Sequence, residues 1–246
     1  MQPLELDARG VCLAANLFLP EASPPPWPAV IIVHGFGGAK ESHTEYAAFL
    51  ANRGFAALTL DLRGHGESSG RLDGNVLDDL GAALDLLEAH PRVDPRRLVL
   101  RGSSLGGNLV VHATVRFPQV RAVIAVCPAT EAMLLPLATS SDAMEETRRL
   151  GLSVRLDGPG FAAYLVARDL RRAVAQLSPR PLLLVQAKGD ETVPYQSAQD
   201  LFAAARQPKR LILLEGGDHR SAQHDPAVHE QEVAWMREVM GQDPRR

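Results

Sequence analysis

Short, continuously apolar runs alternate along the chain with longer stretches in which apolar residues recur every three or four positions. Runs such as residues 29–33 (AVIIV) are typical of strands that helices cover on both faces. The longer stretches are typical of amphipathic helices, and residues 73–90 place their leucines on one stripe. The alternation predicts βαβ units and a mostly parallel sheet, so the predicted fold class is α/β.

An amphipathic hairpin is predicted over residues 4–19, ahead of a proline-rich connector. The strands predicted after it are residues 29–34, 55–61, 97–101, 120–126, 181–186 and 210–214. The predicted helices are about residues 42–53, 73–90, 105–117, 195–206 and 226–240. Residues 128–178 break the alternation, because they are too long for an ordinary connection and carry an apolar pattern of their own. We expect a small lid-like insertion there, within a single domain over residues 1–246.

Composition narrows the class of protein further. The 246 residues are 46% hydrophobic and 22% charged, which excludes collagen-like, coiled-coil and disordered chains. The formal net charge is −3 and the basic residues are scattered along the chain, so the sequence predicts no basic patch that would bind nucleic acid. Apolar runs stay well short of the ~20 residues of a bilayer span, so no membrane span is expected. Cys12 and Cys127 lie in apolar runs and are predicted to be buried free thiols in a cytoplasmic, reducing setting.

A candidate nucleophile lies where a predicted strand runs into a predicted helix. Residues 102–106 read G-S-S-L-G, the pattern of a nucleophile elbow in its strand–turn–helix context. Of the two serines, Ser104 has glycine two positions away on each side, at Gly102 and Gly106. The sequence therefore selects Ser104 as the exposed hydroxyl, the alternative being a tight strand-to-helix turn without chemistry.

An oxyanion that forms at such a serine needs two backbone N–H donors. Leu105, the residue after the nucleophile, supplies one. Residues 34–38 (HGFGG) follow an early strand, and their glycines permit close approach, so Phe36 is expected to supply the other.

A serine hydroxyl needs a neutral imidazole to take its proton and a carboxylate to orient that imidazole. His219 follows the last predicted strand, and Asp190 follows the strand before it. These two residues are therefore predicted as base and acid, in the order serine, acid, histidine along the chain. Glu191 stays an alternative acid, since a shift of one residue in the turn would exchange it with Asp190, whereas Asp218 is expected to shape the loop.

A metal site near His219 is a less favoured interpretation of residues 218–229. Its candidate ligands would be Asp218, His219, His224 and His229, but His224 and His229 are five positions apart and do not share a helical face. No cofactor or metal is expected.

Together these motifs resemble the α/β-hydrolase family over nearly the whole chain. The resemblance is carried by residues 34–38, residues 61–68 (DLRGHGES), the Ser104 elbow, residues 189–190 and residues 217–219. Within the family, residues 34–42 and the modest insertion are similar to bacterial cinnamoyl/feruloyl-type esterases. The resemblance implies an eight-stranded, mostly parallel sheet with helices on both faces, and the same roles for Ser104, Asp190 and His219.

The function expected from this resemblance is hydrolysis of a small acyl or aryl carboxylic ester through an acyl-enzyme. Cleavage of thioesters or amides and acyl transfer stay open, because the same three residues support them, and a non-catalytic binding protein on this scaffold is a further alternative. Phe161 and Tyr164 are the aromatic residues that the insertion offers as substrate contacts, unless they pack in the core. A small-molecule ester is the expected partner, and the apolar insertion also fits a homodimer contact.

Overall fold

The computed structural model describes residues 1–149 and 151–241. Its strands are β1 (Gln2–Asp7), β2 (Cys12–Phe18), β3 (Trp27–Val33), β4 (Ala56–Leu60), β5 (Val93–Ser103), β6 (Val120–Val126), β7 (Leu182–Ala187) and β8 (Lys209–Leu214). Its α-helices are α1 (Thr44–Ala51), α2 (Leu77–Ala89), α3 (Leu105–Arg116), α4 (Glu131–Thr139), α5 (Ser141–Arg149), α6 (Gly158–Val166), α7 (Leu170–Gln176), α8 (Tyr195–Ala204), α9 (Ser221–His224) and α10 (Pro226–Gly241).

The eight strands form one sheet in the order β1-β2-β4-β3-β5-β6-β7-β8. The hairpin β1–β2 joins β4 antiparallel, and every pairing from β4 to β8 is parallel. One hydrophobic cluster packs α1 and α10 against one face, and a second packs α2, α3, α7 and α8 against the other. The predicted α/β-hydrolase fold is thereby confirmed. Because β5 to β8 are parallel, the segments that follow them emerge at one edge of the sheet.

Two local predictions need correction. The predicted helix over 73–90 begins only at Leu77, because the Asp73 carboxylate instead accepts hydrogen bonds from the Asn75 N–H (2.8 Å) and from Arg63 (2.9 Å). Cys127 is buried as predicted, but Cys12 is exposed. The reason is strand alternation, since Leu13 points into the core and its neighbour Cys12 must point away from it.

The predicted insertion folds as the four helices α4 to α7, although Leu150 within it and residues 242–246 of the predicted domain lie outside the described residues. Helix α7 packs against α3 and α8 and is part of the layer that covers the sheet. The Glu131 carboxylate accepts hydrogen bonds from Asn108 (3.0 Å) and from the Leu170 N–H (3.0 Å), and it pairs with His112 at 2.7 Å. This contact ties α3, α4 and α7 together.

Within the described ranges, no helix combines the length and the apolar character that crossing a bilayer requires.

Candidate active site

Ser104 occupies the sharp turn between β5 and α3 in a strained conformation, with φ 54° and ψ −117°. Its N–H donates to the carbonyl of Val126 (2.9 Å), so the turn is fixed to the neighbouring strand. A Cβ on Gly102 would overlap the carbonyl of Gly106, and a Cβ on Gly106 would overlap the carbonyl of Val33. The glycine spacing found in the sequence therefore has a steric cause, because side chains at these two positions would force the elbow open.

The loop after β3 passes directly beside this serine. A Cβ on Gly35 would lie 3.2 Å from the Cβ of Ser104, so only glycine permits this approach without displacement. Neither the Phe36 N–H nor the Leu105 N–H donates a hydrogen bond to another described residue. Two backbone N–H groups without a partner in the described ranges thus lie in the loop after β3 and directly after Ser104, and their role as oxyanion donors stays a prediction.

His34 fixes the shape of this loop. The Leu62 N–H donates to its Nε2 (3.1 Å), so the ring proton is on Nδ1, which donates to the carbonyl of Gly35 (2.7 Å). Burial lowers the pKa of His34 to about 4, so the ring is neutral at physiological pH and holds this tautomer.

The carboxylate of Asp190 follows β7 and accepts four hydrogen bonds. Oδ1 accepts from the N–H groups of Thr192 (2.9 Å) and Val193 (2.8 Å), whereas Oδ2 accepts from Gln186 Nε2 (2.9 Å) and contacts His219 Nδ1 at 2.7 Å. Burial opposes the charged carboxylate, but the hydrogen bonds from His219 and Val193 outweigh it and lower the pKa of Asp190. Asp190 is therefore the acid that the structure brings to His219.

The other candidate acids lie elsewhere. Glu191 is exposed and turned to solvent. Asp218 Oδ1 accepts from the N–H groups of Arg220 (3.0 Å) and Ser221 (2.8 Å), so this carboxylate shapes its own loop as predicted.

Ser104 and His219 lie on the same edge of the sheet, since one follows β5 and the other follows β8. Neither Ser104 Oγ nor His219 Nε2 has a hydrogen-bond partner among residues 1–149 and 151–241. Hydrogen bonds of this kind commonly tighten only when substrate binds. Because Nδ1 faces a carboxylate, it carries the ring proton, and Nε2 is left with a lone pair.

The metal ligands considered from the sequence do not converge. His229 Nε2 lies 3.0 Å from the carbonyl of Gln223, and His224 stacks on His43. Within the described residues, a group of three ligand atoms that all lie within 4.8 Å of one another is formed by Cys127, Asp190 and His219. Asp190 and His219 are already hydrogen-bonded to each other, and burial raises the pKa of Cys127, so the thiol is protonated.

Phe161 and Tyr164 are core residues in this structure. Both side chains are buried, at 0% and 2% exposure, and their rings stack with centroids 5.8 Å apart. A direct substrate contact by either ring stays a prediction that this packing does not favour.

Leu152, in the predicted insertion, reaches the loop after β3 (residues 34–38), and this contact was not predicted from the sequence. A Cβ on Gly37 would come within 2.6 Å of the Leu152 Cβ, so the leucine packs directly on that glycine. Backbone hydrogen bonds fix the segment that follows, since the Arg155 N–H donates to Gly64 (2.8 Å) and the Leu72 N–H donates to Arg155 (2.8 Å). No periodicity signals this contact, because it depends on how the insertion folds back.

Comparisons with known proteins agree with this fold. The sequence pattern of the prolyl oligopeptidase family, Peptidase_S9, matches residues 41–243. The uncharacterized protein YfhR of Escherichia coli K12 is 29% identical over 244 residues, which cover 96% of this chain and 80% of YfhR. The thiohydrolase aneE of Aspergillus aculeatus is 33% identical over 295 aligned positions, which cover 96% of this chain and 92% of aneE. The structure of Est1E from Butyrivibrio proteoclasticus with ferulic acid bound is 25% identical, with a TM-score of 0.80 and coverage of 97% of this chain and 100% of Est1E.

Proposed function

The chain belongs to the prolyl oligopeptidase family of α/β-hydrolases, and from that membership we propose that it is a serine esterase. In this proposal Ser104 is the nucleophile, His219 the general base and Asp190 the orienting acid. The single observation that carries it is the hydrogen bond of 2.7 Å between Asp190 Oδ2 and His219 Nδ1, at the edge of the sheet where the strained Ser104 elbow also lies. It supports the proposal because it leaves the lone pair of Nε2 free to accept a proton.

The proposed reaction runs through an acyl-enzyme. His219 Nε2 takes the proton of Ser104 as Oγ attacks the ester carbonyl, and the N–H groups of Phe36 and Leu105 stabilise the oxyanion. Collapse of the tetrahedral intermediate expels the alcohol, which receives the proton from His219. A water molecule then attacks the acyl-enzyme with His219 again as base, and this step releases the carboxylic acid and restores the serine.

We propose small acyl or aryl esters as the substrate class. The bound ferulic acid of Est1E and the name of the thiohydrolase aneE support an acyl group carried on oxygen or sulfur. Leu152 supports a short acyl chain, because it covers the loop that carries the oxyanion donors. Peptide cleavage is the second candidate, since the description of the family favours it.

A substrate panel tests this proposal. Initial rates would be measured on p-nitrophenyl esters of increasing chain length, methyl ferulate, an acyl-CoA thioester and a prolyl p-nitroanilide. We expect fast turnover of short and aryl esters by the wild type and its loss in Ser104→Ala. The matched control is Ser103→Ala, since Ser103 is buried beside the elbow and its Oγ faces His43 at 3.5 Å. Turnover of the anilide alone would replace the esterase assignment with a peptidase, and equal rates for Ser104→Ala and wild type would end it.

A further inference from the structure

Arg101 is a fully buried cation three positions before Ser104 on β5. Its guanidinium lies on the face of the sheet covered by α1 and α10, with its carbon 4.6 Å from the centre of the Tyr46 ring. Removing a charged group from water costs free energy unless other groups compensate it, so the burial of Arg101 calls for an explanation.

Arg101 has one well-formed hydrogen bond, and its acceptor is not the nearest carboxylate. Its Nε lies 3.6 Å from Glu232 Oε1, beyond a hydrogen bond, and both carboxylate oxygens of Glu232 lack a hydrogen-bond partner among the described side chains and backbone. Its Nη2, by contrast, donates to the backbone carbonyl of Gln223 at 2.9 Å. Glu232 therefore balances the charge, while the well-formed hydrogen bond goes to the segment that follows His219.

Gln223 links this cation to the catalytic histidine. Its carbonyl also lies 3.0 Å from His229 Nε2, which donates because a carbonyl only accepts. Its side-chain Nε2 donates to the backbone carbonyl of His219 at 2.8 Å. A chain of two hydrogen bonds thus runs from Arg101 to the backbone of His219.

The link to Gln223 matters because residues 216–218, just before His219, form side-chain hydrogen bonds only within their own loop in the described part of the chain, and the anchor that follows is the buried Ala222 of α9. Gly216 and Gly217 precede it, with Gly217 at φ 84°, and the carboxylate of Asp218 is exposed and bonded only within the loop. Asp190 holds the imidazole ring, but it does not fix the backbone from which the ring projects. Without Gln223, the ring could keep Asp190 and still move Nε2 away from the serine.

We propose that Arg101 is a positioning residue that holds the backbone of His219 through Gln223, so that Nε2 stays in reach of Ser104. The inference rests on the proposed role of His219 as base. Arg101 touches no reacting atom, and its effect is to keep the distance between the base and the nucleophile constant, from the face of the sheet that α1 and α10 cover.

The test separates positioning from stability. Replacing Arg101 alone would strand the charge of Glu232, so the informative variants are Arg101→Met/Glu232→Leu, which removes both charges at similar volume, and Gln223→Met, which removes only the donor to His219. We expect both to fold, with melting temperatures near that of the wild type. Their kcat for a p-nitrophenyl ester should fall about 10–100-fold with little change in KM, because misplacing a base by a fraction of an ångström slows proton transfer.

The control is Arg53→Met/Glu230→Leu, an exposed pair between the end of α1 and α10, which should keep wild-type kcat.

A second measurement does not depend on turnover. The NMR signal of the His219 Nδ1 proton, assigned by its loss in His219→Gln, should broaden or shift in Gln223→Met. Folded variants with wild-type kcat and an unchanged signal would overturn the inference. If the wild type turned over no ester, the proposed function would fail, and the NMR signal alone would decide the inference.

Discussion

Asp190 and His219 are 29 residues apart in the sequence, and their side chains meet at 2.7 Å between Oδ2 and Nδ1. The other carboxylate oxygen of Asp190 accepts from two backbone N–H groups, so the side chain cannot rotate away from the imidazole. The pair therefore sets which nitrogen of His219 carries the proton.

Asp190→Asn should abolish this control of the tautomer. The asparagine amide can donate to Nδ1, which moves the ring proton to Nε2 and leaves no lone pair to receive the proton of Ser104. We expect kcat to fall about 10³–10⁴-fold while the protein stays folded. The fall in kcat is measured from steady-state rates on a p-nitrophenyl ester, and circular dichroism checks that the variant is folded. Glu191→Gln is the matched control, and a comparable loss there would mean that the acid has been misassigned.

Leu152→Ala should change the preference for acyl chain length. Removing the side chain that packs on Gly37 opens space beside the loop of residues 34–38, which carries the proposed oxyanion donor Phe36. We expect the optimum among p-nitrophenyl esters to move to longer chains, with kcat/KM for the longest rising about 10-fold, the scale set by one or two methylene groups in an apolar pocket. Leu4→Ala is the control, because Leu4 is equally half-buried but lies on β1, the far edge strand of the sheet. An unchanged profile in Leu152→Ala would place the acyl pocket elsewhere.

The unfolding free energy should fall in acid partly because of His34. Burial lowers the pKa of His34 to about 4, whereas an unfolded histidine has a pKa of about 6.5. As pH falls through that window, the unfolded chain takes up a proton that the folded protein does not, so stability is lost. The contribution of His34 should amount to about 2–3 kcal/mol between pH 7 and pH 4.5.

Urea unfolding of the wild type and His34→Gln at several pH values checks this contribution. Taking the difference between the two proteins cancels the titration of the other groups. The variant should show the flatter pH dependence, and parallel curves would contradict a buried, neutral His34.

Thiol counting tests the positions of the two cysteines. Cys12 is exposed, but partial desolvation and the carboxylates of Glu5 and Asp7 raise its pKa, so it should react slowly. Cys127 is buried, and burial also raises its pKa. A disulfide reagent should therefore titrate one thiol in the native protein and two in denaturant. Two fast-reacting native thiols would show that Cys127 is accessible.

Local sequence patterns were enough to predict the α/β-hydrolase fold, and they also point to the residues of the proposed site. The parallel strands are continuous apolar runs in the sequence because helices cover both faces of the sheet. The Ser104 elbow can be recognised because a side chain two positions before or after the serine would overlap a nearby carbonyl, so both positions are glycine. Asp190 and His219 follow from the rule that parallel strands end at one edge of a sheet.

The contacts that the sequence did not reveal are those between distant segments. Arg101 and Gln223 are 122 positions apart, and no pattern links a buried cation to a backbone carbonyl. The inward packing of Phe161 and Tyr164 and the contact of Leu152 with Gly37 depend on how the insertion folds onto the sheet. Composition alone does not decide that arrangement.

Labelling with a fluorophosphonate, followed by mass mapping of the adduct, tests the central claim most directly, because the reagent reports an activated serine whatever the natural substrate is. We predict one adduct per wild-type chain, on Ser104, and none on folded Ser104→Ala or His219→Gln. An adduct on any other residue, or a wild-type chain that stays unlabelled, would contradict the account.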